Sequence, residues 1–426
     1  MRRLAGLLCF CAYPCWPQSA QLTPEQKQVN TASFEKVWTT IRDKHWQTNP
    51  GGLDWQAIHA EFRPRIDAAE STEQARAIMR EMLGRLKETH FSIFAANVYE
   101  DVGAISMGEG QSGIEVRVLD GRAVVTGIDP GSPAEKAGVK PGWAVVSVDA
   151  KELAPAIGKL KSDPAIHELA LERAVFARLT GPIGATIQVA FLKGLDSGVT
   201  LIELPLVAPR GQLARFGNLP AMHVWTESKR LGSTGYIRFN MFLDLMHVMS
   251  SFADTANGCI GQCDGLIIDL RGNPGGIGGM AMGMAGFLLD KPDQKLGTMY
   301  MRDTTLKFVV NPRAEVFTGP VAILIDGCSA STSEIFAGGL KDLGRARIFG
   351  TKSAAAALPS VIEKLPNGDG FQYAMANYIS EGGKALEGNG VTPDVEVELT
   401  REKLLNGHDA VVDAALEWIK KQRKSE

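Results

Sequence analysis

The chain has no excess of either charge: 45 basic residues stand against 48 acidic ones among 426, a net of −3. Without a basic face there is no electrostatic footprint for nucleic acid, and without a polybasic run there is no patch for an anionic membrane surface. Long apolar runs are missing after the first twenty residues, so no later segment has the roughly 20-residue length of a transmembrane helix. Cysteine is scarce, six in all, and no second ligand pair stands near Cys259 and Cys263, which argues against a zinc site. The glycine-rich stretch Asp269-Leu-Arg-Gly-Asn-Pro-Gly-Gly276 lacks the lysine-serine ending of a P-loop, which argues against nucleotide. No metal or organic cofactor is called for.

What is present is ordinary soluble-protein material, 45% hydrophobic and 22% charged, enough for two to three domains with normal cores. Met1-Arg-Arg3, the apolar Leu4 to Trp16 and Pro17-Gln-Ser-Ala20 have the order of an export signal, residues 1–20, with cleavage after Ala20. An uncleaved membrane anchor is the competing reading; the first predicts a periplasmic or secreted protein. Cys9, Cys11 and Cys15 leave with such a signal. Cys259 and Cys263 then form a disulfide or stay as two thiols, and Cys328 reads as a small buried residue.

Periodicity divides the remainder into a multi-domain α/β chain. Over residues 21–100, Phe34, Val37, Trp38 and Ile41, then Ala75, Ile78, Met79, Met82 and Leu83, recur at helical spacing. Over 101–208 the pattern becomes strand-like: Ile114, Val116 and Val118 alternate, Asp120-Gly121 turns the chain, and Val124-Val125 returns it. Ser132, Pro133, Glu135 and Gly138 punctuate a short helix, and a strand follows at Ala144 to Val148. A helical insertion around His167 to Leu179 precedes strands at 186–191 and 200–204. Over 209–426, Gly235 to Phe239, Gly265 to Leu270 and Val321 to Ile325 read as buried strands, each followed by a helical pattern, which predicts a layered α/β core.

The most chemically suggestive residue is Ser331, in Asp326-Gly-Cys-Ser-Ala-Ser-Thr-Ser-Glu334, where a buried strand gives way to a helix. A serine there has an exposed hydroxyl beside free backbone N–H groups and the positive end of the helix dipole. Ser331-Thr-Ser-Glu334 is equally a capping box, in which the serine only closes the helix start. The glycine-rich loop ending at Gly276 is open to two readings as well, an anion-binding turn or a backbone donor to an oxyanion.

Residues 113–148, in the order Gly113-Ile-Glu-Val, strand, Gly131-Ser-Pro-Ala-Glu-Lys-Ala-Gly138, Pro141-Gly142, strand, resemble a PDZ domain in the circular arrangement of bacterial proteases. The resemblance implies that Gly113, Ile114, Glu115 and Val116 form the loop that takes a peptide tail. With Gly235-Tyr-Ile-Arg-Phe239, Asp269 to Gly276, Ser329-Ala-Ser-Thr-Ser-Glu334 and Gly390-Val-Thr-Pro-Asp394 following in order, the chain resembles the carboxyl-terminal processing peptidases. That family implies a core of the ClpP/crotonase-like type, Ser331 as nucleophile, and the backbone N–H groups of Gly276 and Thr332 as the oxyanion hole.

A serine needs a base within reach. In the processing branch that base is a lysine, and its position here is Ala356. The family's tricorn-like branch uses a histidine ahead of the PDZ domain and a late glutamate, which register on His90, preceded by Thr89, and on Glu387. Together these predict a serine peptidase in which Ser331 attacks, His90 takes the proton, and Thr89 and Glu387 orient it or a water. Lys352 is the alternative base. The reaction this implies is cleavage of unfolded or extended polypeptide through an acyl-enzyme. The other reading is a scaffold that has lost catalysis and binds peptide or an apolar ligand, since the family also resembles retinoid-binding proteins. Oligomeric state is not encoded in any motif.

Overall fold

The front of the chain forms helices because its apolar residues fall on one face. In the computed structural model, which describes residues 22–96, 109–162, 168–195, 198–219 and 221–423, helix Pro24–Lys44 begins at a reciprocal cap. The Gln26 N–H donates to Thr23 Oγ1 and the Thr23 N–H to Gln26 Oε1. Phe34, Val37, Trp38 and Ile41 are buried against helices Trp55–Asp67 and Thr72–Gly84, the latter through Ala75, Ile78, Met79, Met82 and Leu83. Fully burying each of the larger side chains contributes about 1.5–3 kcal/mol. Trp38 and Trp55 each donate an indole N–H to the other's carbonyl, at 2.8 and 2.9 Å, so the polar edges of both rings are satisfied inside the cluster.

This cluster is completed from the far end of the chain. Strand Ser92–Phe94 pairs antiparallel with Gly370–Ala374, itself the hairpin partner of Ser360–Lys364, and Leu365, Phe371 and Tyr373 are buried among the front helices. Arg76 clamps the buried Asp369 with two bonds of 3.0 Å. The front unit therefore draws residues 360–374 out of the stretch expected to belong only to the core.

The middle region is a six-stranded antiparallel sheet: five strands in the order Ile114–Leu119, Arg122–Ile128, Ala144–Val148, Thr186–Leu192, Val199–Pro205, with short Lys151–Glu152 pairing off the path to Ala144–Val148. Asp120 and Gly121 both have positive φ, 49° and 74°, which suits a two-residue hairpin. Ser132 caps the short helix Pro133–Lys136 as its spacing predicts. The inserted helix runs Glu168–Phe176 and continues as a 3-10 turn to Leu179; it buries Leu171 and Val175 in the same core as Ile114 and Val116. His167 lies outside the described residues. A further helix, Ala154–Lys161, carries no strong sequence signal.

The rear region is a six-stranded sheet in the order Thr226–Leu231, Thr234–Phe239, Gly265–Asp269, Val321–Ile325, Arg347–Gly350, Val395–Glu396, parallel except at its first pair. Gly265–Asp269 and Val321–Ile325 are buried at every position, as strands covered on both faces must be. Helices Leu245–Cys259, Gly278–Ala285 and Thr332–Asp342 cover one face and Ala410–Arg423 the other. Cys259 and Cys263 are disulfide-bonded and Cys328 is buried. No helix among the described residues is long and apolar enough to cross a membrane; the proposed signal at 1–20 lies outside them.

Candidate active site

Strand Val321–Ile325 delivers the chain into a tight turn, and Ser331 stands at its exit with φ 54° and ψ −117°, immediately before helix Thr332–Asp342. A non-glycine residue there costs of order 1–3 kcal/mol and persists only where surrounding bonds impose it. Here they do. The Ser331 N–H lies 2.8 Å from the Ala356 carbonyl and 3.0 Å from Glu334 Oε2. The Ala330 N–H and Ser333 hydroxyl both donate to the Asn273 carbonyl, and the Ser329 hydroxyl to that of Leu270. Only half of the capping box has clear geometry: the Glu334 N–H lies 2.8 Å from the Ser331 carbonyl, so we assign that donor to the carbonyl rather than to the hydroxyl.

Glu334 is buried and gathers four donors: Ser331 N–H and Ala356 N–H on Oε2, Ser353 Oγ and Ala355 N–H on Oε1. Burial pushes its carboxyl up to about 7, against those bonds, which favour the charged form. Asp269, at the end of its strand, is also buried, yet Arg271 holds it down to about 2.

The glycine loop packs directly on the serine. Gly275 has φ 95°, and a Cβ there would come within 2.8 Å of Ser331 Cβ and 2.7 Å of Thr332 N, so no side chain fits. Gly276, φ 138°, lies so close to the Phe242 carbonyl that a Cβ would collide with it. The Thr332 hydroxyl donates to the Gly276 carbonyl at 2.8 Å, fixing these two residues to one another. Neither the Gly276 nor the Thr332 backbone N–H has an acceptor among the described residues. Two unsatisfied N–H groups, one at a helix N-terminus, are what a developing oxyanion requires.

His90 arrives from the front unit just before strand Ser92–Phe94, itself at positive φ, 63°. The Thr89 N–H donates to Glu387 Oε1 at 2.9 Å, the Thr89 hydroxyl to Glu387 Oε2 at 2.9 Å, and Thr89 Oγ1 lies 2.7 Å from His90 Nδ1. The hydroxyl has one proton. With that proton on Glu387, the oxygen accepts from Nδ1–H, which leaves His90 Nε2 with its lone pair and no hydrogen-bond partner among the described residues. Burial, and secondarily the charge of Arg173 on helix Glu168–Phe176, lowers the His90 pKa to about 4, so the ring is neutral at neutral pH. Burial raises the carboxyl of Glu387 above its ordinary value, opposed by bonds from Thr89 and from the Ala357 N–H.

The two halves meet on residues 353–357. Ala356 O accepts from Ser331, Ala357 N–H donates to Glu387 Oε2, and the Gly388 N–H returns to Ala355 O. Ala356 is buried, whereas Lys352 is exposed.

Two segments match described families: residues 233–397 match peptidase family S41, and residues 28–84 match the tricorn protease C1 domain. The chain is similar to carboxyl-terminal-processing peptidase 3 of Arabidopsis thaliana, 25% identical over 93% of this chain and 77% of that one. It is also similar to a CtpA-like serine protease of Staphylococcus haemolyticus, 27% identical over 85% of this chain and 67% of that one. Among solved structures, its fold is similar to the photosystem II D1 C-terminal processing protease, with TM-score 0.56 and 20% identity over 90% of this chain and 98% of that one. The tricorn protease shares it too, at TM-score 0.52 and 16% identity over 93% of this chain and 37% of that one. The chain is thus a serine-type peptidase with the expected mixed α/β fold.

Ser331, Thr332, Gly276, Thr89, His90 and Glu387 all lie along this one network. The proposed peptide loop differs in form: Ile114 to Val116 are strand, with Ile114 and Val116 buried and Glu115 bonded to Arg238 of the core at 2.9 Å. Sequence reasoning did not find Glu334 as the holder of residues 353–357, although its place three residues after Ser331 marks it. It also missed Arg117, which donates to Asp326 at the head of the serine turn at 2.9 Å, because nothing local pairs residues so far apart.

Proposed function

We propose that the protein is an exported serine endopeptidase that cleaves unfolded or extended polypeptide through an acyl-enzyme at Ser331, with the PDZ-like domain assigned to residues 101–208 engaging the substrate tail. The observation that carries this reading is the bonded chain Glu387–Thr89–His90 and its connection through Ala357 and Ala356 to Ser331. His90 Nε2 takes the Ser331 proton as Oγ attacks the peptide carbonyl, and the oxyanion forms between the Gly276 and Thr332 N–H groups. Collapse breaks the C–N bond, His90 returns the proton to the leaving amine, and an acyl-Ser331 remains for water to hydrolyse by the same route. Thr89 and Glu387 fix the tautomer without leaving their places. Lys352, exposed and without a bond to the serine turn among the described residues, has no part in this scheme.

A fluorophosphonate should label Ser331, and the protein should hydrolyse casein. Ser331→Ala should lose both, and His90→Ala should lose hydrolysis. A wild-type protein that takes no label yet binds peptide or an apolar ligand would make it a carrier on a peptidase scaffold. Export predicts that protein recovered outside the cytoplasm begins at Gln21, read by N-terminal sequencing.

A further inference from the structure

Strand Ile114–Leu119 ends its sheet, so one edge has no neighbouring strand among the described residues, and helix Glu168–Phe176 lies beside it. An extended peptide added there would donate an N–H to an outward carbonyl and accept from an outward N–H. Both partners are already taken by side chains. The Val118 N–H donates to Glu172 Oε1 at 2.6 Å, and Arg117 Nη1 donates to the Val116 carbonyl at 2.8 Å. Glu172 occupies the place of a peptide carbonyl.

Its carboxylate is poorly supplied with positive charge. Glu172 is 6% exposed, and its Oε2 is buried without a hydrogen-bond partner among the described residues. Glu168 from the same helix and Asp326 and Cys328 from the serine turn face it with negative or neutral groups. Arg117 is the cation that faces it, and that guanidinium is already bonded to Asp326 at 2.9 Å. Burial raises the Glu172 carboxyl to about 7, with Glu168 and Asp326 adding to the effect and the Val118 bond and Arg117 opposing it. A peptide that takes over the Val118 N–H strips Glu172 of its one donor, and a displaced carboxylate in this setting needs a cation.

We propose that Glu172 makes the groove between strand Ile114–Leu119 and helix Glu168–Phe176 select extended tails bearing a lysine or arginine, whose side chain pairs with the Glu172 carboxylate as the peptide main chain replaces it on Val118. This rests on the reading of the middle region as the substrate-engaging domain, and it names the class of tail that domain takes.

The test is binding by fluorescence anisotropy to full-length Ser331→Ala protein, which prevents turnover. The probes are extended peptides with a free carboxylate, identical except for lysine, alanine or glutamate scanned through the tail. At one position lysine should bind about tenfold tighter than alanine, the scale of a charge-assisted bond, with glutamate weakest. Adding Glu172→Gln, which keeps an oxygen for Val118, should abolish the lysine preference while the thermal unfolding midpoint holds. Equal binding of the three peptides, or a lysine preference that survives Glu172→Gln, overturns the selection and leaves peptide engagement standing. Binding of none of them defeats the groove reading and this inference together.

Discussion

The serine half and the histidine half of the site are held in opposite ways. Around Ser331 nearly everything is main chain or buried: a strained turn, a glycine loop packed on it, and a carboxylate, Glu334, closing over four donors. Around His90 the support is a single file, Thr89 then Glu387, delivered by a strand pairing between Ser92–Phe94 and Gly370–Ala374. One half is over-determined; the other depends on each link. Single substitutions should therefore affect chemistry and stability differently on the two sides.

The largest effect is expected at the two groups proposed to exchange the proton. Ser331→Ala and His90→Ala should each lower kcat on the order of a millionfold, and the double variant should be scarcely worse, because they act as a unit. Additive losses in casein hydrolysis would break the pairing of the two halves. Next is the file behind His90. Glu387→Gln should lower kcat about a thousandfold with KM little changed, by loss of the ring's tautomer. Thr89→Val should do the same and Thr89→Ser should restore activity; equal activity of the valine and serine variants would show that the hydroxyl carries nothing.

Smaller is the effect at Glu334, where Gln offers one oxygen to donors now shared between two. Glu334→Gln should destabilise the protein by about 1–3 kcal/mol, measured by urea unfolding, and reduce activity by disturbing the Ser331 turn. Its carboxyl is raised in the folded protein to about 7 from an ordinary value of 4.5, so the folded state holds the extra proton between those values. Stability tied to Glu334 is therefore complete below about 4.5 and declines as pH rises through 7. His90 runs the other way: the unfolded chain holds its proton below about 6.5 and the folded one only near 4. Its contribution is complete above 6.5 and is lost as pH falls towards 4. The smallest expected change is in Arg173→Gln, which should move the acid limb of kcat/KM upward from about 4 without altering the rate at neutral pH. Lys352→Ala should change nothing measurable; loss of hydrolysis there would replace His90 with lysine as the base.

Much of this arrangement is legible locally. The helical spacing of Phe34 to Ile41, the Asp120-Gly121 turn, the Ser132 cap and the buried strand before Ser331 are each written within a few residues, because each is satisfied by neighbours within a turn or a hairpin. Motif order brought His90, Thr89 and Glu387 into one hypothesis, but their bonds could not be read from spacing, since Thr89 and Glu387 lie 298 positions apart. The same separation hid the Arg117–Asp326 bridge, 209 positions apart, and the dependence of the front core on Phe371 and Tyr373.

By itself, then, the sequence determined the elements, their periodicity and the residue types needed for acyl transfer, all of which follow from short-range sterics and the alternation of apolar and polar side chains. Tertiary structure alone decided which carboxylate fixes which donor, which nitrogen of His90 keeps its lone pair, and that Glu172 bonds to the edge strand Ile114–Leu119. Those outcomes depend on hydrogen bonds and burial between segments remote in the chain, and their geometry exists only once the separate cores have packed together.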